Sequence, residues 1–197
     1  MRTASPMSVL SIQVGKVRKV LISGRLVPTA IHKAPVMGPV AVGVMGLISD
    51  EQADPTVHGG KDKAVYAYPS EHYAFWQAER QKADVAGLQD HLAYGAVGEN
   101  LSLQGLLEND VWVGDELHFA DCILRVTQPR EPCFKFNAAM GFNTAVKAMA
   151  QSGFCGFYLA VEKAGSIEAG ESFALIAGPR QLSIAESFRA KMFKHMR

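Results

Sequence analysis

The chain has 197 residues, 48% of them hydrophobic and 20% charged, which predicts one folded globular domain with its own core and excludes a disordered or low-complexity chain. Its 20 basic and 19 acidic residues nearly cancel, so charge gives no case for a nucleic-acid coat or an anionic membrane surface, and no apolar run approaches the ~18 residues that span a bilayer. The cysteines Cys122, Cys133 and Cys155 are odd in number and lack CxxC spacing, which fits a reducing cytoplasm and excludes a zinc knuckle or iron–sulfur cluster built from this chain alone.

In chain order, short strands are expected at 9–14, 17–22, 29–32, 40–47 and 64–68, set off by Gly15, Gly24, Pro28, Pro35, Gly38 and Pro39. Between 47 and 64 lies a polar loop too rich in titratable groups for a simple turn, and long polar loops in compact domains carry function. Ser70 is placed to cap a helix over 70–81. Strands return at 98–103, 111–113, 116–119 and 122–127, a helical stretch at 143–151 follows, and further strands are expected at 157–162 and 172–176. Ser183 with Glu186 has the form of a capping box for a last helix over 183–194. The fold class is mainly β with peripheral helices, in a single domain spanning 1–197.

The segment QPREPCFK at 128–135 sets Cys133 beside Arg130 and Lys135 after a proline break. Pro132 fits a first helical turn, which would place the thiol near a helix N-terminus where S⁻ is favoured, and a neighbouring cation acts in the same sense. The other reading is a small buried hydrophobe, the ordinary fate of an isolated cysteine. His58, Gly59, Gly60, Lys61 and Lys63 combine close backbone approach with positive charge, as a phosphate-binding loop does, although Gly-Gly also makes plain turns. Glu99 and Asn100 offer a carboxylate and an amide for a heterocycle, or a turn cap. His72 and His91 read as structural or exposed, and Phe154, Phe157 and Tyr158 read as core.

Taken in order, DEQAD at 50–54, VHGGKDKAVYAYP at 57–69, GENL at 98–101, VGD at 113–115 and QPREPCFK at 128–135 resemble the MOSC family, named for the C-terminal domain of molybdenum cofactor sulfurase. The likeness covers about 16–176 and is nearest to stand-alone bacterial MOSC proteins linked to resistance against N-hydroxylated base analogues. It implies a β-barrel and binding of the molybdenum cofactor, a molybdenum–pterin. Cys133 would be the metal ligand, with Arg130 as the second catalytic residue. His58, Gly59, Gly60, Lys61, Lys63, Glu99, Asn100 and Lys135 would be cofactor-binding. The implied activity is cytoplasmic reduction of hydroxylaminopurine- or amidoxime-type compounds with electrons from a separate flavin or iron–sulfur protein. Neither a nucleic-acid polymer nor a membrane is expected as a partner, whereas a homodimer is compatible. The alternative is a non-catalytic carrier of the cofactor or of sulfur, with Cys133 accepting a persulfide.

Overall fold

A computed structural model describes residues 6–54, 59–87 and 91–195. β1 (Ser8–Val14) buries Val9 and Ile12. β2 (Arg18–Ile22) and β3 (Arg25–Thr29) form a hairpin whose turn residues Ser23 and Gly24 both have positive φ, the conformation that matches the right-handed twist of the strands it joins. This turn moves the expected strand at 29–32 back to β3, and only Thr29 of it remains in a strand. After β4 (Ala34–Pro35), the run expected at 40–47 divides into β5 (Val40–Gly43) and β6 (Gly46–Leu47). Gly46 makes the fold-back possible: its φ is 106°, and a Cβ there would lie 2.0 Å from the Ala64 carbonyl oxygen.

β7 (Val65–Pro69) is buried at every position. A 3-10 turn at Ser70–His72 then leads into α1 (Tyr73–Lys82), so Ser70 lies inside the turn and does not cap the helix. β8 (Leu101–Gln104), β9 (Glu116–His118) and β10 (Ile123–Pro129) follow. The strand expected at 111–113 is absent; Trp112 makes one isolated bridge with Ser183, because its N–H is held by the Asp115 side chain at 3.0 Å. Next come α2 (Phe134–Met140), α3 (Ala145–Ser152), β11 (Phe157–Lys163), β12 (Gly165–Ile167), β13 (Ala174–Ile176) and α4 (Ile184–His195). The capping box forms as the sequence predicts: Glu186 N–H donates to Ser183 Oγ at 3.2 Å, and Ser183 N–H donates to the Glu186 carboxylate at 3.0 Å.

One sheet of eight strands organises the chain in the order β13-β9-β10-β11-β7-β8-β1-β4, antiparallel apart from the parallel β7/β8 pair. β7 sits inside this sheet, which is why it shows no polar alternation. Strands β12-β5-β6 form a small second sheet, and the β2–β3 arm pairs with no other strand among the described residues. The free edge of β1 also meets the segment before β13, through Val9 N–H to Glu171 O at 2.9 Å and Phe173 N–H to Met7 O at 3.1 Å. Trp76 and Phe136 meet edge to face, with centroids 5.2 Å apart and no exposure, and tie α1 to α2. Truncating either to Ala should cost about 3–5 kcal/mol. No described helix is long and apolar enough to cross a membrane.

Candidate functional site

β10 ends at Pro129, and the backbone it leaves extended carries Arg130 directly beneath the sheet, where its N–H reaches Gly156 O at 3.4 Å. Arg130 is buried. Its guanidinium carbon lies 5.4 Å from the Tyr66 ring centre and 4.7 Å from that of Phe136, and Nη1 faces Met149 Sδ at 3.6 Å. Among the described residues no carboxylate forms an ion pair with it. Burial opposes its charge, but Tyr66, Tyr158 and Cys133 outweigh that and hold the guanidinium above its ordinary pKa. The result is a permanent cation whose neighbours are rings and sulfur. An anion arriving beside it would offset a desolvation cost of several kcal/mol.

Cys133 is the N-cap of α2, with φ −127° and ψ 172°, so it stands one position ahead of the first turn and Pro132 precedes the cap. The extended backbone is that of an N-cap residue, and the thiol is half-buried. Its sulfur couples electrostatically to both Arg130 and Tyr158, which places it near them. The other two thiols differ. Cys122 is buried and its pKa is pushed up to about 11, first by burial and then by Asp121, while burial raises Cys155 well above the thiol range.

Arg130 and Tyr158 form one wall of a cleft holding about 630 Å³ of space outside protein atoms, part of it open to solvent. Lys63 and Lys135 line it too. Lys63 Nζ is 5.9 Å from the Tyr158 ring centre, and Lys135 Nζ donates to Pro28 O at 3.1 Å. Burial raises the Tyr158 hydroxyl's pKa, against the pull of Arg130. Lys33 and Asp50 also line the cleft, where Lys33 Nζ contacts both oxygens of Asp50 at 2.5 and 2.7 Å, and Asp50 also accepts the Gly15 N–H at 2.6 Å. Burial lowers the Lys33 pKa even though Asp50 pulls it upward. This pair is therefore an internally neutral part of the cleft lining.

The residues singled out from the sequence are distributed unevenly around this cleft. Lys63, Asn100, Arg130 and Lys135 line it, and Cys133 adjoins it. Asn100 has its amide engaged, accepting Tyr66 N–H at 3.0 Å and donating to Gln13 O at 3.2 Å, so it fixes the cleft floor across three strands. Glu99 lies behind that floor without exposure, where Oε1 accepts from Gly95 N–H at 2.7 Å, from Ser102 Oγ at 2.8 Å and from the Tyr73 hydroxyl. Its Oε2 has no hydrogen-bond partner among the described residues. Gly59 and Gly60 wrap the Gln52 side chain: Gly60 N–H donates to Gln52 Oε1 at 2.8 Å, and a Cβ on Gly59 would stand 2.2 Å from the same oxygen. Lys61 is exposed in the 3-10 turn Lys61–Lys63, and His58 lies outside the described residues.

His72 is buried, bonded to Glu108 at 2.8 Å and stacked on Phe154 at 3.7 Å, while His91 is exposed. Sequence reasoning misses Lys33, Tyr66 and Tyr158. Tyr158 sits in a strand that reads as core throughout, and the ion pair of Lys33 with Asp50 joins two loops that no local pattern connects. Among the described residues no three His, Cys, Asp or Glu side chains gather to chelate a metal ion. The donor set suits instead an anionic group that brings most of its own metal ligands and takes one thiolate from the protein.

Comparison with known proteins bears on the family and the fold. The family model for the MOSC domain matches residues 54–174. YflK of Bacillus subtilis (strain 168) is 35% identical over 178 residues, covering 90% of this chain and 77% of YflK. A Gibberella moniliformis protein named "Reductase" is 33% identical over 178 residues, but that alignment spans only 30% of its length. The crystal structure of YiiM from Geobacillus stearothermophilus superposes with a TM-score of 0.76 at 37% identity, covering 98% of this chain and 87% of that one. The chain belongs to the MOSC domain family.

Proposed function

We propose that this protein is a molybdenum-cofactor-dependent reductase of N-hydroxylated compounds of the hydroxylaminopurine or amidoxime type. The observation that carries the reading is the half-buried Cys133 thiol set beside Arg130, a buried cation with no carboxylate partner among the described residues, on one wall of an open cleft. A pterin phosphate and an oxygen-bearing metal are both anionic, and the residues present fit them. Cys133 would supply the thiolate, Arg130 would hold the negative oxygen or phosphate, and Lys63 and Lys135 would balance the remaining charge. The Gibberella protein named as a reductase supports the reaction class. The bonds between β1 and the segment before β13 support a sheet that curls into a barrel around this site.

When bound, the cofactor supplies two-electron redox chemistry at an oxygen-accepting metal. The overall change is R–NHOH plus two electrons and two protons giving R–NH₂ and water: the N–O bond breaks and the electrons come from a separate donor protein. Arg130 and the lysines orient the substrate oxygen by charge-assisted hydrogen bonds. Tyr158 is the hydroxyl on that wall, and its raised pKa keeps it protonated and able to donate.

Elemental mass spectrometry on protein from a cofactor-competent host tests the reading, comparing wild type with Cys133→Ala. Near-stoichiometric molybdenum that the variant loses, together with dithionite-driven reduction of a hydroxylaminopurine by wild type, is the expected result. Metal-free wild type beside a loaded control molybdoenzyme sinks it, and a persulfide on Cys133 without turnover would make the carrier the better description.

A further inference from the structure

Phe154, Cys155 and Gly156 lie between α3 and β11 and hold Arg130 at two points. The Gly156 carbonyl accepts the Arg130 N–H at 3.4 Å. The Cys155 carbonyl accepts the Tyr66 hydroxyl at 2.8 Å, and the Tyr66 ring centre lies 5.4 Å from the guanidinium carbon. One contact fixes the Arg130 backbone, and the other fixes a ring against its charged end. β11 begins at the next residue, Phe157, so the same segment also sets where Tyr158 enters the cleft lining. Gly156 is pressed against β7: its φ is 63°, and a Cβ there would lie 2.5 Å from the Ala67 carbonyl oxygen.

A buried pair outside the cleft lining grips this segment. Glu108 Oε1 accepts the Gly156 N–H at 2.8 Å, and Oε2 is bonded to His72 Nε2 at 2.8 Å. The His72 ring stacks on that of Phe154, with centroids 3.7 Å apart and planes 9° from parallel. The two side chains therefore take the segment at both ends, by the ring of its first residue and the N–H of its last. Glu108 is itself anchored, since its carbonyl accepts the Ala185 N–H of α4 at 3.1 Å. A carboxylate holds an N–H more strongly than a neutral acceptor does, and an apolar pair of the same volume would leave the buried Gly156 N–H with no acceptor.

We propose that Glu108, acting with His72, is a positioning residue for the cleft: it clamps residues 154–156 so that Arg130 meets the anionic oxygen held there. The proposal rests on the reductase reading for the reaction, while its geometry requires only that Arg130 binds an anion. Neither Glu108 nor His72 touches the substrate; both act through Gly156, Cys155 and Tyr66. Misplacing a binding group by about 1 Å costs on the order of 10²-fold in rate, so a clamp two contacts away from the chemistry is felt in turnover. A Glu108 that served packing alone would set the thermal midpoint and leave the anion affinity of the folded chain unchanged.

The test has two readouts, both taken well below the thermal midpoint. Inorganic phosphate binding to the full chain purified without cofactor is measured by titration calorimetry. On loaded protein, KM and kcat per bound molybdenum are measured for a hydroxylaminopurine with dithionite. E108A removes the grip, E108Q keeps an acceptor for the Gly156 N–H, and F173L, which thins the core beside Phe119 outside the cleft lining, supplies a loss of stability alone. The expected result for E108A is a phosphate Kd raised at least about tenfold and a kcat lowered by a similar factor, with KM changed less. E108Q should stay within about threefold of wild type, and F173L should match it. Wild-type affinity and kcat in E108A, equal losses in F173L, or an E108Q as impaired as E108A overturns the clamp and leaves the reductase intact. Where E108A does not fold, Y66F decides, because it keeps the ring and removes only the bond to the Cys155 carbonyl: phosphate binding at least about threefold weaker supports the clamp, and wild-type binding overturns it. Phosphate affinity that follows Glu108 in a protein that reduces no N-hydroxylated compound keeps the clamp and removes the reductase. A wild type that neither binds phosphate nor turns over overturns both.

Discussion

Three thiols in one chain share the same chemistry and differ in their surroundings. Cys122 and Cys155 have no exposure, and the pKa of Cys122, at about 11, leaves roughly one part in a thousand as thiolate at pH 8. Cys133 is half-buried at a helix cap beside Arg130. Iodoacetamide at pH 8 should therefore modify one thiol per native chain, located at Cys133 by peptide mass mapping. Native Cys133→Ser should take up none, and urea-unfolded wild type three. Labelling at Cys122 or Cys155 in the native protein would contradict this order of reactivity. The closeness of Arg130 and Cys133 was legible in the sequence because four consecutive positions span it. Tyr158 was not, since a strand residue facing a cleft looks like its core neighbours until the sheet is known.

At the scale of elements, α4 shows how a local rule controls a distant site. Ser183 and Glu186 cap the helix reciprocally, Ile184 and Phe188 bury its inner face, and Lys191 reaches back to Glu131 at 2.5 Å and Gln128 at 3.3 Å, bracing the segment that holds Arg130. The hydroxyl and N–H of Ser183 lower the Glu186 pKa below its ordinary 4.5. A depressed carboxylate contributes stability above its unfolded-state pKa and loses it as pH falls through the folded value, so the contribution is full near neutrality and fades below about pH 4.5. Ser183→Ala should cost about 1 kcal/mol at pH 7, a drop of about 2–4 °C in Tm, and should flatten the acid side of the stability profile. An unshifted Tm with an unchanged acid slope would show that the cap contributes nothing. This element was readable because its signal spans four residues. The β2–β3 register was not: its turn depends on Ser23 adopting positive φ, which residue type alone does not announce, and the 111–113 stretch is apolar enough for a strand but finds only Ser183 as a bridge partner.

On the scale of the whole molecule, a net charge of +1 conceals a cation that folding encloses without a counter-charge among the described residues. Such a site couples anion binding to global stability, because the folded cleft binds the anion and the unfolded chain does not. At a phosphate concentration about ten times Kd the gain is about 1.4 kcal/mol, which for a chain of this length raises Tm by about 3–6 °C. Phosphate also stabilises proteins generally by exclusion from their surface, so the informative quantity is the difference from Arg130→Met under identical salt. Methionine fills much of the same volume against Tyr66, Phe136 and Met149 without a charge to desolvate, so the ligand-free variant should be no less stable than wild type. Its phosphate response should fall to the general stabilisation that an excluded salt gives any folded chain. Equal phosphate shifts in wild type and Arg130→Met, measured by differential scanning calorimetry, would place the anion away from this wall and leave the buried guanidinium a structural cation held by its aromatic neighbours.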